Sequence, residues 1–260
     1  MEDIYAQRPW LKNYDKHVSP NLSYDNKTFC QRFKETVAAY PNKPAIIYLG
    51  KSLTFKDLDV LSNQLANYLI RNGAKAGEVI GLNMPNVPAH YIAVIAVQKA
   101  NCISTGLSPL LTTPELIHQI NDCGARIVLT MDLLYEKIYE AAPKTKLETI
   151  LVSSVADFLP PIKAFLGKLL KKIPQAEVKP IAGVKVESFM SATRSMPKTA
   201  VEGSKGMDDV MYMMYTGGTT GPAKGAQLTQ RNVVYNGKQI VTWCDITSSD
   251  TFLCAFPLFH

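Results

Sequence analysis

The order of elements between Val79 and Val152 constrains this chain more than any other feature. Val79-Ile80-Gly81-Leu82 reads as a buried strand, Pro88 to Lys99 as a helix with proline in its first turn, and Cys102 to Thr105 as a short strand. Thr113-Pro114-Glu115 opens a helix that ends near Gly124. Arg126 to Thr130 is then a strand, Asp132 to Ala142 a helix and Thr149 to Val152 a strand. Parallel neighbours need crossover connections, so strands and helices alternating through short joints imply a parallel sheet covered on both faces. The expected fold class is α/β, a doubly wound, mostly parallel sheet with flanking helices. Such sheets place ligands at the carboxyl ends of their strands.

The flanks are less regular. Residues 1–25, rich in Tyr, Asn, Ser and Pro, read as an irregular surface arm. Phe29, Phe33 and Val37 mark a helix from Thr28 to Tyr40 that stops at Pro41, and Ala45–Tyr48 with Leu53–Phe55 forms a hairpin around Gly50-Lys51. Thr54 and Asp57 approximate a capping pair for a helix whose face is Leu58, Leu61, Leu65 and Leu69. Residues 162–173 predict a basic amphipathic helix, apolar at 162, 165, 166, 169, 170 and 173, with Lys163, Lys168 and Lys171 opposite. It fits an anionic membrane surface, although packing against the sheet with its lysines in water is the commoner arrangement for such a helix. Residues 174–207, with three prolines and little periodicity, read as an irregular connection.

Val210–Tyr215 reads as an interior strand, its methionines filling the core, and it delivers Thr216-Gly217-Gly218-Thr219-Thr220-Gly221-Pro222-Ala223-Lys224-Gly225 at its carboxyl end. Main-chain N–H groups converge on an anion where no Cβ blocks them and positive φ is allowed, and threonine hydroxyls add rotatable donors. Lys224 adds a compact charge. The pattern is that of a polyphosphate cradle. A Walker loop is excluded, because Ala223 precedes the lysine and Gly225 follows it, and no G-x-G-x-x-G dinucleotide fingerprint occurs. Ala226–Leu228 returns as a strand, Thr229 caps a helix, and Thr251–Phe256 reads as a buried strand before the sequence stops at His260.

Composition narrows the partners. A formal net charge of +6, spread along the chain without a dense basic tract, argues weakly for anionic ligands and against nucleic acid. Five scattered cysteines with no C-x-x-C pair read as buried thiols in a reducing compartment. The acidic first residues do not resemble a secretory signal, and no apolar run approaches ~18 residues. A cytoplasmic protein is expected, with peripheral membrane contact through 162–173 as the second expectation.

Tyr215 to Gly225 resembles the signature loop of the acyl-adenylate-forming superfamily of AMP-binding enzymes. Leu53-Thr54-Phe55-Lys56-Asp57-Leu58, Lys99-Ala100-Asn101 through Leu107-Ser108-Pro109, and Phe256-Pro257-Leu258-Phe259-His260 resemble three further motifs of that family, in order. Gly217, where many members have serine, and the basic insert look most like long-chain fatty acid–CoA ligases. Gln230 departs from the usual histidine and Ala223 from the usual proline.

The resemblance implies the N-terminal part of the large domain of an acyl-CoA synthetase-like fold. Its parts are the arm at 1–25, an α/β subdomain over 26–207, and a segment over 208–260 holding the phosphate loop and the start of a second sheet. It also implies ATP, Mg2+ and coenzyme A as cofactors and a fatty or other carboxylic acid as substrate. Thr216, Gly217, Gly218, Thr219, Thr220, Gly221 and Lys224 would hold the β- and γ-phosphates, and His260 would face the acyl carboxylate and the α-phosphate. His17, His90 and His118 gain no role.

Relatives run to roughly twice this length, as the family implies, so the adenine and ribose contacts, the metal-binding acid and the C-terminal domain are expected beyond His260. No residue here is assigned to a metal, and a 260-residue piece alone is expected to be inactive. An aryl-CoA ligase or other adenylating enzyme, and a noncatalytic phosphate-binding or membrane-associated module, stay open as alternatives.

Overall fold

The structure is a computed structural model that describes residues 3–170, 172–217 and 221–259. Its elements run α1 (Ile4–Gln7), α2 (Phe29–Ala39), β1 (Pro44–Tyr48), β2 (Lys51–Thr54), α3 (Phe55–Arg71), β3 (Val79–Asn83), α4 (Pro88–Lys99), β4 (Ile103–Gly106), α5 (Thr113–Cys123), β5 (Ile127–Met131), α6 (Tyr135–Ala141), β6 (Thr149–Ser153), α7 (Pro161–Leu169), β7 (Lys185–Ser188), α8 (Phe189–Arg194), β8 (Val210–Tyr215), β9 (Gly225–Thr229) and α9 (Gln230–Trp243). Seven strands form one sheet in the order β7-β6-β5-β3-β4-β8-β9. Every pairing in it is parallel except β8 with β9. The alternation from Val79 onward thus becomes the doubly wound sheet it predicts.

Strand residues feed two cores, one on each face, because successive side chains point to opposite sides. Ile80, Leu82, Ile127, Leu129 and Leu151 pack with Leu58, Leu65 and Leu69 of α3 and Ile92 of α4. Val128 and Ile150 pack with Leu116 and Ile120 of α5 and Ile138 of α6. The β3 position between these faces needs a glycine: a Cβ on Gly81 would stand 2.9 Å from both Leu107 Cδ1 and Val128 Cγ2. Capping follows the sequence, with Thr54 and Asp57 closing a reciprocal box at α3 and Thr229 with Asn232 doing the same at α9.

Several expectations are corrected. The arm at 1–25 contains α1 and a 3₁₀ turn over Pro9–Asn13. The connection at 174–207 contains β7 and α8; β7 is a four-residue edge strand carrying Lys185 and Glu187, and so short and charged an edge leaves little apolar period to read. The helix of 162–173 ends at Leu169, and Ile173 folds back so that a Cβ on Gly167 would meet its Cδ1 at 2.5 Å. Thr251–Phe256 is neither a strand nor buried; with no ladder partner among the described residues, its apolar side chains stand in the open, Leu253 at 90%. β8 and β9 complete the main sheet. Only Met211 of the β8 methionines is fully buried, and Cys244 and Cys254 are exposed.

Candidate functional site

Three parallel strands end side by side, and the candidate site lies along that edge. β3 pairs with β4 and β4 with β8, so the Met84–Val87 turn, Gly106 and Tyr215 leave the sheet at the same end. Thr105 Oγ1 donates to Met213 O at 2.8 Å and reinforces the β4–β8 seam.

Past Tyr215 the chain enters the Gly/Thr loop and returns at Gly225, which stands opposite Tyr215 in the antiparallel ladder. Thr216 N donates to Lys224 O at 3.0 Å and closes the base of the loop. Thr216, Gly217, Gly221 and Lys224 are exposed. Among the described residues, a Cβ at Gly217 or Gly221 would meet nothing within 4 Å. Gly217 does not have positive φ, which makes the missing side chain, not a left-handed turn, its contribution. No hydrogen bond or ion pair engages Lys224 Nζ among the described residues. An unpaired ammonium, a hydroxyl and unobstructed amides fit a phosphate chain. Gly218, Thr219, Thr220 and His260 lie outside the described residues.

The two faces of β8 meet different surroundings. Tyr215 points towards α5, where its hydroxyl donates to Asp122 Oδ2 at 2.6 Å and approaches Gln119 O at 3.4 Å. Burial first, and then the Asp122 carboxylate, holds the phenol well above its usual range, so it stays a donor. His118, one turn earlier on α5, places Nε2 3.1 Å from Ala223 O; a carbonyl only accepts, so this nitrogen carries the proton. Tyr212 and Met214 point the other way, into an apolar groove of about 850 Å³ that also involves Tyr91, Leu228, Val233 and Phe252.

One wall of that groove is the segment leading to the last motif. Asn86, in the turn after β3, donates from Nδ2 to Cys254 O at 3.0 Å and to Phe256 O at 2.7 Å, and its Oδ1 accepts from Leu258 N at 2.9 Å. This single amide substitutes for a strand partner. Phe259 then lies on Gly106, where a Cβ would stand 2.6 Å from Phe259 O. The Gly/Thr loop and the Phe256–Phe259 motif, 30 or more positions apart in sequence, therefore meet at the same end of the sheet through β4.

Sequence reasoning missed Asn86, Gly106, Asp122 and His118. Asn86 had a signal: an amide between Pro85 and Pro88, in the turn at a strand's carboxyl end. No group of three His, Cys, Asp or Glu residues is placed to hold a metal among the described residues.

The profile of the AMP-binding enzyme family matches residues 33–260. A long-chain-fatty-acid–CoA ligase of Bacillus subtilis is 31% identical over 99% of this chain and 46% of its own length. The 4-coumarate–CoA ligase 1 of Petroselinum crispum is 26% identical over 81% of this chain and 35% of its own length. Among solved structures, a long-chain-fatty-acid–CoA ligase from Archaeoglobus fulgidus superimposes with a TM-score of 0.74 at 23% identity, covering 95% of this chain and 45% of that one. An anthranilate–CoA ligase solved with anthranoyl-AMP gives 0.68 at 21% identity, covering 82% and 36%. The chain spans about half the length of the curated long-chain relatives it matches. The family match over residues 33–260 and the acyl-CoA synthetase-like fold together show that the chain belongs to the AMP-binding enzymes.

Proposed function

We propose that the protein carrying this chain is an acyl-CoA ligase acting on apolar carboxylic acids, long-chain fatty acids foremost. The observation that carries this reading is the meeting, at one end of the sheet, of Lys224, unpaired among the described residues, with the Asn86-held Phe256–Phe259 segment beside an apolar groove. Thr216, Lys224 and the loop amides would hold the β- and γ-phosphates of ATP and stabilise departing pyrophosphate as the acyl carboxylate attacks the α-phosphate. Gly218, Thr219, Thr220 and His260 belong to the same reading through their motifs. Coenzyme A thiol then displaces AMP to give the thioester.

Tyr91, Tyr212, Met214 and Phe252 give the groove the apolar lining an acyl chain needs. The names of the relatives include long-chain and aromatic ligases, and the higher identity lies with the long-chain ones. The test is thioester formation by the full-length gene product with a panel of acids. Saturated acids of ten or more carbons should be preferred over coumarate and benzoate, and the reverse order would move the assignment to aryl acids.

Peripheral membrane contact forms part of this reading. Ile162, Leu166 and Leu170 recur every four residues on α7 and its continuation, and all are exposed, Ile162 at 75%. Co-sedimentation with anionic vesicles should fall severalfold in Ile162→Ser/Leu166→Ser; equal binding by wild type and variant would remove membrane contact from the account.

A further inference from the structure

The phosphate loop has two legs, and one helix touches both. On the β8 leg Tyr215 donates to Asp122 at 2.6 Å; on the β9 leg Ala223 O accepts from His118 at 3.1 Å. His118 and Asp122 are one helical turn apart and share a face. A turn rises ~5.4 Å and paired strands lie ~4.8 Å apart, so one helix face can engage both legs of a hairpin.

The helix making these contacts is itself fixed. The Thr112–Glu115 box caps its start, Gly124 ends it at φ 66°, and Leu116 and Ile120 are buried against the sheet. Thr113 Oγ1 donates to Glu140 Oε2 at 2.7 Å and ties its first turn to α6. Gly225 shows that the arrangement has little slack: a Cβ there would stand 2.9 Å from Met213 Cγ and 3.3 Å from Tyr215 Cζ, crowding the ring that reaches Asp122. Thr216 N to Lys224 O is the last rung between the legs, so restraining both legs fixes where Lys224 leaves the backbone.

We infer that α5 is the clamp of the phosphate loop, with His118 and Asp122 as positioning residues that act through Ala223 and Tyr215 on the placement of Lys224. The inference rests on the ligase reading only for what the loop holds; the clamp itself is a property of the hairpin.

The test uses the full-length gene product with His118→Ala, His118→Gln, Asp122→Ala and Tyr215→Phe. Glutamine carries its amide nitrogen where histidine carries Nε2 and restores the donor. In His118→Ala, KM for ATP in carboxylate-dependent pyrophosphate exchange should rise about tenfold with KM for the acid unchanged, and His118→Gln should recover to within about threefold of wild type. Amide hydrogen exchange at Thr216, whose N–H donates to Lys224 O, should quicken at least fivefold in His118→Ala, Asp122→Ala and Tyr215→Phe, and far less in His118→Gln. Unchanged amide exchange in both His118→Ala and Asp122→Ala would overturn the clamp, as would equal defects in His118→Ala and a folded His118→Gln. Wild-type protein without pyrophosphate exchange for any acid would sink the ligase reading alone, because amide exchange would still read the clamp.

Discussion

Gly106 and Phe259 meet backbone to backbone: a methyl group on Gly106 would lie 2.6 Å from the Phe259 carbonyl oxygen and 3.0 Å from its Cα. A backbone cannot rotate aside as a side chain does. Gly106→Ala should therefore lift residues 256–259 from the edge of β4, at a cost of about 1–3 kcal/mol if the contact is kept under strain. Amide exchange at Leu258, whose N–H is held by Asn86 Oδ1, reports the displacement directly. It should quicken in the variant, and unchanged exchange with unchanged stability would mean that this contact does not place the segment.

Asn86 supplies the other hold on the same segment through two donated bonds and one accepted bond. Phe252 is 65% exposed and precedes Leu253, so it offers a chymotryptic site beside the Asn86-held Cys254 whose cleavage measures how firmly the segment is held. Asn86→Ala should be cut after Phe252 several times faster than wild type, with a global stability loss of only about 1–2 kcal/mol because the site is solvent-exposed. Asn86→Asp keeps an acceptor for Leu258 N but turns a carboxylate oxygen towards the Cys254 and Phe256 carbonyls. It should behave like alanine; a wild-type cleavage rate would show that the donated bonds contribute nothing.

His90 gives the fold a defined acid sensitivity. It is buried in the first turn of α4 with Nδ1 3.3 Å from Met84 O, and burial pushes its imidazole down to about 4 from 6.5, against the pull of the Met84 and Pro85 carbonyls. Between those two values the unfolded chain holds a proton that the folded chain does not. Lowering pH through this window therefore favours unfolding, and stability rises again as pH returns above 6.5. The loss should approach about 3 kcal/mol at the bottom of the window. Asparagine retains a donor near the position of Nδ1 without a titrating ring, so denaturation of His90→Asn should show a shallower pH dependence over this range. Identical slopes would contradict the assignment.

Most of the fold is legible because its signals are local. Pro88 opens α4, Gly124 ends α5, and Thr54 and Thr229 cap helices through residues three positions on, all inside one turn of chain. The unread parts depend on distant partners. β7 exists because Lys185–Ser188 finds the edge of β6, and Thr251–Phe256, apolar enough for a strand, makes none without a ladder partner among the described residues. The site divides the same way. Thr216, Gly217, Gly221 and Lys224 are contiguous enough to be recognised together, whereas Asn86, His118 and Asp122 act on residues more than 90 positions away. A lone amide or a helix-surface histidine carries no periodicity to announce such a contact.

Carboxylate-dependent exchange of labelled pyrophosphate into ATP by the full-length gene product, wild type against Lys224→Ala, tests the central claim most directly. The account predicts exchange with long-chain acids and a fall of roughly 10- to 100-fold in the variant, because the loop's one charged donor to the phosphates is gone. Absence of exchange with every carboxylic acid tried, or exchange undiminished in Lys224→Ala, would contradict it.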